Sequence, residues 1–325
     1  GYQNKIFTKY SLENINIRGI WFHPKIQERL FYKILSALLY VLLSTFLVIF
    51  RRRKYKFLFF YQTGPIFNGF CARFVSAKQK IIWVQDFWPS NIALLSDNKL
   101  IGSVSHFFSG FIYSFFDKFL CSSEGYISEL KNLYNINDSL LNFAPNWSEV
   151  QLKSNEPDYK SAARKNILYA GNVGKWQDLE AICEAIKYLN NSKIVLNIVG
   201  DGSIKEKLIR SYDSCEAINF YPYCSSNDLI SHVNTADYFL ISLKDTKHFR
   251  VIMPSKFQLY LYHRRPIICL VKGYLSDLIE NKNIGIACKS RTRIGLTNFF
   301  RELFLLTDKE YFEMVKNCKQ ERNEL

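Results

Sequence analysis

Residues 238 to 270 decide the fold, and they read YFLISLKDTKHFRVIMPSKFQLYLYHRRPIICL. Tyr238 to Leu243 is a short apolar run, typical of a strand that is buried on both faces of a parallel sheet. A polar loop follows, and Pro254 predicts a helix start because proline is tolerated at the first helical position. Pro266 ends that helix, and the apolar residues 267 to 271 predict the next strand. The stretch is therefore a strand, loop, helix and strand of an α/β sheet.

The start of the predicted helix is a candidate anion site. Its free N–H groups and the helix dipole attract negative charge just outside the carboxyl edge of the sheet. Lys256 lies in the first turn, where a cation disfavours the helix unless an anion is bound. Alternatively, the Lys256 side chain simply points into solvent.

Composition limits the partners. The 325 residues predict two domains of about 150 residues. The formal net charge of +14 favours nucleic acid, acidic lipid or phosphorylated metabolites. Basic residues are spread along the chain and no nucleic-acid-binding motif is present, which argues against nucleic acid. The eight cysteines form no Cys-x-x-Cys pair and the histidines are dispersed, so we expect reduced core thiols and no metal site.

An uncharged stretch, Ile34 to Phe50, is followed by the basic residues of 51 to 56. A membrane-spanning helix needs about 20 apolar residues, so this stretch is borderline. Three interpretations stay open: a transmembrane helix, a helix lying in the membrane interface, and a helix packed on the first sheet. The last two are compatible with each other.

The first domain shows the spacing of a strand, helix and strand. Tyr55 to Gln62 predicts a strand, 66 to 77 a helix, and Ile81 to Val84 the next strand. The latter ends in Gln85-Asp86-Phe87-Trp88-Pro89, which places polar side chains at the edge where parallel sheets carry their chemistry. Asp86 could instead cap the next helix.

Two glycine-containing loops follow predicted strands in the second domain. Gly171-Asn172-Val173-Gly174-Lys175 could close backbone N–H groups on a phosphate, although Gly-x-x-Gly occurs in many turns. Gly200-Asp201-Gly202 follows the predicted strand Ile194 to Val199, and a plain turn would also explain it.

Three motifs together resemble a known family. They are Asp86-Phe87-Trp88-Pro89, Pro145-Asn146-Trp147, and Phe249-Arg250 with Pro254-Ser255-Lys256. Between residues 55 and 290 the chain resembles the retaining GT-B glycosyltransferases of family 4, in the subgroup that builds O-antigen and capsular polysaccharides.

The resemblance implies two Rossmann-like parallel-sheet domains facing each other across a cleft. We expect an acceptor-side domain over residues 1–150, with a membrane-associating segment at about 31–56, and a donor-binding domain over 164–325. The family's first strand and its final crossover helix are not evident, so both ends read as cropped. One strand is predicted over residues 15 to 22, and two short helices after Thr307.

The function implied by the resemblance is transfer of a hexosyl or N-acetylhexosaminyl group from a nucleotide-sugar, expected to be UDP-linked, to a polyprenyl-diphosphate-linked saccharide. We expect retention of configuration, no metal and no other cofactor, and a peripheral or single-pass location at the cytoplasmic face of the inner membrane. Two alternatives remain: a GT-B sugar-nucleotide epimerase and a non-catalytic, membrane-bound scaffold.

The resemblance also assigns residues. Asp86 and Gln85 would face the sugar, and Lys256 the leaving diphosphate. Donor contacts would come from two glycine loops and from the loop before the helix: Gly171, Asn172, Gly174, Lys175, Asp201, Gly202, Lys244, Asp245, Arg250, Pro254 and Ser255.

The chain departs from the family pattern at several of its polar positions. Gln85 stands where many relatives have a histidine, and Asn172 and Gln177 stand where an arginine and a lysine hold the diphosphate. The family's two glutamates fall on Val251 and Leu259, so no ribose ligand is carried over.

Overall fold

The computed structural model describes residues 7–20, 30–50, 53–88, 99–147, 154–157, 164–189 and 193–324. The chain divides into two compact units, Gly1–Ala144 and Pro145–Leu325. Each unit contains a parallel sheet of its own, as the fold prediction requires.

The first unit is built on a four-stranded parallel sheet with the order β3-β4-β5-β6. Its described strands are β1 (Phe7–Leu12), β2 (Ile15–Ile20), β3 (Lys54–Gln62), β4 (Ser76–Val84), β5 (Lys118–Cys121) and β6 (Leu141–Phe143). Its described helices are α1 (Leu30–Ile49), α2 (Lys99–Tyr113) and α3 (Glu124–Tyr134), with short 3-10 helices at Ile66–Phe74 and Asp138–Leu140.

The amino-terminal segment corrects the prediction of a single strand. The strands β1 and β2 form an antiparallel hairpin, in which Leu12 pairs with Ile15 across a turn that contains Glu13 at a φ of 50°. The alternating isoleucines mark only the second strand, because β1 carries its own polar and apolar residues without a clear period. Phe22 lies outside the described residues.

The predicted helix over 66 to 77 is shorter and of a different type. It is a 3-10 helix, Ile66–Phe74, and β4 begins at Ser76 because that residue already pairs with Lys54 of β3. Gly69 in this helix lies so close to β3 that an added Cβ would meet the Phe60 ring at 3.0 Å. The tight approach suits the narrower 3-10 winding.

The uncharged stretch of the sequence forms most of helix α1. This helix packs against the 3-10 helix Ile66–Phe74. It therefore packs in the first unit, although its main partner is this helix rather than the sheet. The opposite side of α1 leaves large apolar side chains exposed, among them Leu38, Leu42 and Phe46. No helix among the described residues has the length and apolar content needed to cross a membrane.

The second unit is built on a six-stranded parallel sheet with the order β12-β11-β10-β7-β8-β9. Its strands are β7 (Lys165–Ala170), β8 (Ile194–Val199), β9 (Ile218–Tyr221), β10 (Tyr238–Ser242), β11 (Ile267–Leu270) and β12 (Gly285–Ala287). Its described α-helices are α4 (Leu179–Leu189), α5 (Lys205–Tyr212), α6 (Ser226–Thr235), α7 (Lys256–Tyr262), α8 (Tyr274–Asn281), α9 (Arg293–Glu302) and α10 (Asp308–Glu324). Every residue of β10 and β11 is buried, as their continuous apolar sequences predict.

The carboxyl end of the chain is one helix of 17 residues, α10, and not two short ones. Four of its side chains are buried at helical spacing, namely Tyr311, Met314, Cys318 and Glu321. Tyr311 donates a hydrogen bond to the carbonyl of Asp237 at 2.7 Å. The weak apolar pattern of this helix hid its length, because Glu321 occupies a buried position and is paired with Lys282 at 2.9 Å.

Two glycines of α2 allow a test of packing in the first unit. An added Cβ at Gly102 meets nothing within 4 Å, whereas at Gly110 it would meet the Tyr134 ring at 3.0 Å. Alanine is favoured over glycine in a helix by about 0.5–1 kcal/mol, so Gly102→Ala is expected to stabilise the protein by that amount. Gly110→Ala is expected to lose this gain to overpacking, which costs about 1–3 kcal/mol. Chemical denaturation of both variants measures the difference, and equal stabilisation by both would contradict the packing described.

Candidate functional site

The second sheet reverses its strand order between β7 and β10. The chain runs from β7 outward to β8 and β9, and then returns to the other side of β7 to form β10 and β11. Such a switch point opens a crevice outside the carboxyl ends of the two strands, where ligands of open α/β sheets bind. The loops that follow β7 and β10 meet there, since the Lys244 N–H donates to the Trp176 carbonyl at 2.8 Å. Both loops were predicted from the sequence to carry the site.

Lys256 is turned inward at this switch point. Its ammonium lies 3.8 Å from the centroid of the Tyr169 ring in β7. A Cβ added to Gly171 would meet the same ammonium at 2.9 Å, so the glycine leaves the space that Lys256 occupies. No carboxylate among the described residues pairs with this ammonium, and burial lowers the pKa of Lys256 to about 7. The solvent-pointing alternative is therefore wrong.

The helix that carries Lys256 begins two residues later than predicted. Helix α7 starts at Lys256, and Pro254 and Ser255 precede it. The Pro254 carbonyl already accepts the Phe257 N–H at 2.9 Å. With seven residues and one of its first N–H groups paired, α7 offers little dipole of its own. The anion-binding capacity of this edge therefore depends on the Lys256 charge.

The loop after β7 uses several of its backbone donors internally. The N–H groups of Gly171, Val173 and Gly174 donate to the Val199 carbonyl, the Asp201 carbonyl and the Gln177 side chain, at 2.9, 2.8 and 3.0 Å. These bonds fix the loop that contains Asn172. The glycine loop thus acts as a rigid frame beside Lys256 more than as a cradle of free N–H groups.

The loop after β8 packs directly on this frame. A Cβ at Gly202 would meet the Val173 carbonyl at 2.4 Å, so the two loops approach at backbone distance. Asp201 accepts the Gly202 N–H within its own turn at 2.7 Å. Lys205, which the sequence analysis missed, donates to the carbonyls of Gly200 and Tyr221 at 2.7 and 2.8 Å. It thereby fixes the loop after β8.

Asp245 forms an ion-pair cluster in the loop after β10. Its carboxylate lies 2.8 Å from the Arg250 guanidinium and 2.7 Å from the Lys272 ammonium. Hydrogen bonds from these two cations lower the pKa of Asp245 to about 2. Arg250, expected to reach a phosphate, is thus held by Asp245 while its side chain stays exposed. Lys272 was missed, although it follows β11 by two residues, just as Lys244 follows β10.

Arg291 is a third cation that the sequence alone did not identify. It follows β12, and its guanidinium donates to the Leu243 carbonyl at 2.8 Å and lies 3.6 Å from the Asp178 carboxylate. Burial lowers the pKa of this arginine. Arg291 therefore joins three loops at the carboxyl edge, and it fixes the segment that leads into Lys244. The two remaining predicted lysines, Lys175 and Lys244, are exposed, and Lys175 lies over the Trp176 ring at 4.7 Å.

Gln85 and Asp86 lie in the first unit at the carboxyl end of β4. The Gln85 N–H donates to the Gln62 carbonyl at 3.2 Å, and the Gln62 side chain donates to the Asp86 carbonyl at 3.0 Å. The side-chain nitrogen of Gln85 is buried without a hydrogen-bond partner among the described residues. Asp86 is half-buried, and burial raises the pKa of its carboxyl group. Pro89 and the helix that Asp86 could cap lie outside the described residues.

In the described parts of the chain, no three His, Cys, Asp or Glu side chains are placed to hold one metal ion. Cys71, Cys121, Cys183, Cys215, Cys224, Cys269, Cys288 and Cys318 are free thiols, and most of them are buried.

Comparison with known proteins identifies the family. Residues 153–320, more than half of the chain, match the family described as glycosyl transferases group 1. The chain therefore belongs to this family.

Two curated relatives agree with that assignment. "Probable glycosyltransferase WbjE" of Pseudomonas aeruginosa is 23% identical over 249 residues, which are 71% of this chain and 61% of the relative. "Putative colanic acid biosynthesis glycosyl transferase WcaI" of Escherichia coli (strain K12) is 30% identical over 126 residues, 35% of this chain and 31% of the relative. The chain thus spans less than two thirds of the length of either protein.

The crystal structure of Anabaena Alr3699/HepE in complex with UDP has a TM-score of 0.64 at 10% identity, covering 82% of this chain and 74% of that chain. At this identity the likeness shows the fold alone. It supports the α/β fold with two parallel sheets that GT-B glycosyltransferases share.

The Lys256 pKa predicts a pH dependence of stability. The unfolded chain keeps this proton up to a pKa of about 10.4, whereas the folded protein releases it near a pKa of about 7. Between these values the unfolded state binds more protons, so the free energy of unfolding should rise with pH. We expect Lys256→Met to be more stable than the wild type below about pH 7, with the difference shrinking as the pH rises. Urea denaturation across this range measures it, and a difference that does not vary with pH would contradict the buried, titrating ammonium.

Proposed function

We propose that the protein transfers a sugar from a nucleoside diphosphate donor, and that the donor's diphosphate binds beside Lys256. The observation that carries this proposal is the ammonium of Lys256, turned inward at the switch point and left without a carboxylate. A buried cation without a counter-charge is costly, and a bound diphosphate would supply the missing charge.

The proposed reaction breaks the bond between the sugar C1 and the β-phosphate oxygen. An acceptor hydroxyl forms a new C1–O bond on the same face, and its proton passes to the leaving diphosphate, so configuration is retained. Negative charge grows on the diphosphate as the bond breaks. Lys256 would stabilise that charge, because a fixed cation in a partly desolvated site acts more strongly than water does.

The charged cluster around Asp245 would make a second, weaker contribution to donor binding. Asp245 neutralises one of its two partners, so the cluster of Asp245, Arg250 and Lys272 carries one excess positive charge. We propose that this charge, together with Lys244 on the same loop, attracts the donor. Arg291 would keep the loop in place through the Leu243 carbonyl.

The sugar-facing role is proposed for Gln85 and Asp86. The unpaired amide nitrogen of Gln85 is a donor suited to a sugar hydroxyl, since buried polar groups normally have partners. Asp86, with its pKa raised by burial, could accept a hydrogen bond from a second hydroxyl. Neither role needs a metal ion.

UDP is the nucleotide we propose for the donor. Anabaena Alr3699/HepE, which shares the fold, was crystallised with UDP and with UDP-glucose. WcaI is named for colanic acid biosynthesis, which supports a polysaccharide precursor as the acceptor class. We propose a polyprenyl-diphosphate-linked saccharide, as in the family 4 subgroup that the sequence resembles.

Such an acceptor lies in a membrane, and we propose that α1 lies on the cytoplasmic face of the inner membrane. Its exposed apolar side chains, including Leu38, Leu42 and Phe46, would enter the interface. Arg53, Lys54 and Lys56 are exposed directly after the helix and would contact anionic headgroups. This location is peripheral.

A nucleotide panel tests the donor site. In a thermal-shift measurement without metal, we expect UDP to raise the melting temperature more than GDP, dTDP, ADP or CMP. Lys256→Met should weaken UDP binding about 10–100-fold, since a hydrogen bond to a charged group contributes about 1.5–3 kcal/mol. Affinity should also fall as the pH rises above about 7, because the ammonium loses its proton.

The matched control is Lys207→Met, which removes an exposed lysine of the same unit that pairs with Glu180. It should leave UDP binding and its pH dependence unchanged. Loss of binding in both variants would show a general charge effect and contradict the proposed site. Binding of no nucleotide would favour the non-catalytic scaffold, and UDP-sugar epimerisation without transfer would favour the epimerase.

A vesicle experiment tests the membrane surface. We expect the protein to sediment with vesicles of phosphatidylglycerol and phosphatidylethanolamine, and less with neutral vesicles. Leu42→Glu should weaken sedimentation, because a charge enters the proposed interface, whereas Ile15→Glu on the hairpin should not. The two residues are similarly exposed, at 65% and 62%, so equal effects would show that α1 has no special role.

A further inference from the structure

An apolar groove lies on the first unit, between the 3-10 helix Ile66–Phe74 and α2. Its volume is about 290 Å³, and it is lined by Phe67, Leu100, Ile101, Val104 and Ser105. Among the described residues that line it, Ser105 alone is polar, and its hydroxyl has no hydrogen-bond partner there. The groove thus offers almost purely dispersive and hydrophobic contact.

The groove begins close to the polar end of β4. The Phe67 ring, which lines it, lies 5.8 Å from the Trp88 ring. Trp88 is the second residue after Asp86, so one side-chain contact separates the groove from the segment proposed to hold the sugar. Val104, which also lines the groove, is one of several exposed apolar side chains of α2, together with Phe107 and Phe111.

The groove also lies beside the proposed membrane surface. Both α1 and α2 pack on the 3-10 helix Ile66–Phe74, which contributes Phe67. The 3-10 helix therefore contacts both the helix of the proposed membrane surface and α2, and it supplies one wall of the groove.

We propose that this groove binds the first part of the isoprenoid chain of the lipid-linked acceptor and so places the attached diphosphate-sugar near Gln85 and Asp86. The proposal rests on the proposed function. It assigns the groove to the acceptor lipid, a role separate from donor binding in the second unit.

The size and lining of the groove favour this occupant. A stable protein interface uses about 20–30 residues on each side, whereas five described residues line this groove. Small-molecule sites start at about 300 Å³, which suits a short length of chain. Branched aliphatic and aromatic walls match the methyl-branched isoprenoid by shape, and nothing in the lining would pair with a headgroup.

The test uses two diphosphates with the same headgroup. Farnesyl diphosphate carries three isoprene units and dimethylallyl diphosphate only one, and binding of each is measured by isothermal titration below its micellar concentration. Each buried methylene contributes about 0.8 kcal/mol, so farnesyl diphosphate should bind at least about tenfold more tightly. Equal affinities would overturn the proposal, since binding would then be due to the headgroup.

A matched pair of variants locates the binding. Leu100 and Phe107 lie on the same helix and are 71% and 72% exposed, but only Leu100 lines the groove. Leu100→Asp should weaken farnesyl diphosphate binding about tenfold or more and leave dimethylallyl diphosphate unchanged, whereas Phe107→Asp should change both less than about twofold. Both side chains are exposed, so folding should be preserved.

Other outcomes are equally decisive. If both variants weaken binding equally, the whole α2 face binds the chain and the groove is not a site. If Leu100→Asp has no effect, the groove is not used for the isoprenoid; residues 89–98, which link Trp88 to α2, or a second copy of the protein would then be the better occupant. UDP binding measured on the same samples separates this result from failure of the donor site, because it should be unchanged in both variants.

Discussion

The unpaired charge of Lys256 is the constraint on which the second unit depends. Removing an ammonium from water is unfavourable, and a ring such as that of Tyr169 returns only about 0.5–2 kcal/mol. The pKa of Lys256 is lowered because the contact with the Tyr169 ring does not offset the whole cost of desolvating the ammonium. The arrangement requires Gly171, because any side chain there would take the space of the ammonium. The ammonium has no carboxylate partner among the described residues, and this makes the edge suitable for an anion.

The other cations of this edge are used differently. Lys205 and Arg291 donate to backbone carbonyls and hold loops, while Arg250 and Lys272 share one carboxylate. Because these side chains already have protein partners, they contribute positive potential at this edge but few free hydrogen-bond donors for a ligand. This division explains how a positively charged edge stays ordered, because each loop is tied to a neighbour by at least one such contact. Among the cations described at this edge, Lys256 alone has an ammonium that is turned inward without a carboxylate partner.

The first unit follows a different physical logic. The helices α1 and α2 leave several large apolar side chains exposed, and both pack on one 3-10 helix whose Gly69 lies close to β3. Exposed apolar patches of this kind mark surfaces that bind a partner or a membrane. The polar groups of Gln85 and Asp86 lie only a few residues from this surface. A polar site beside an apolar surface is the arrangement that an amphipathic substrate requires.

The sequence by itself determined the architecture and the central residues of the site. Strands buried on both faces appear as continuous apolar runs, so β10 and β11 are confirmed to within one residue of the predicted bounds, and β8 has the predicted bounds Ile194–Val199. Parallel strands share their carboxyl edge, which is why Lys256, the loop at Gly171 and the Asp245 loop could be placed together from the sequence.

Only the tertiary structure decided that Lys256 points inward, that Arg250 pairs with Asp245, and that Lys205, Lys272 and Arg291 join the edge. These outcomes depend on contacts between distant residues, such as Arg291 and Leu243, which are 48 residues apart. Such contacts produce no periodic pattern in the sequence. The 3-10 helix and the hairpin were missed for the same reason, since close packing on a neighbouring strand, rather than local propensity, selected them.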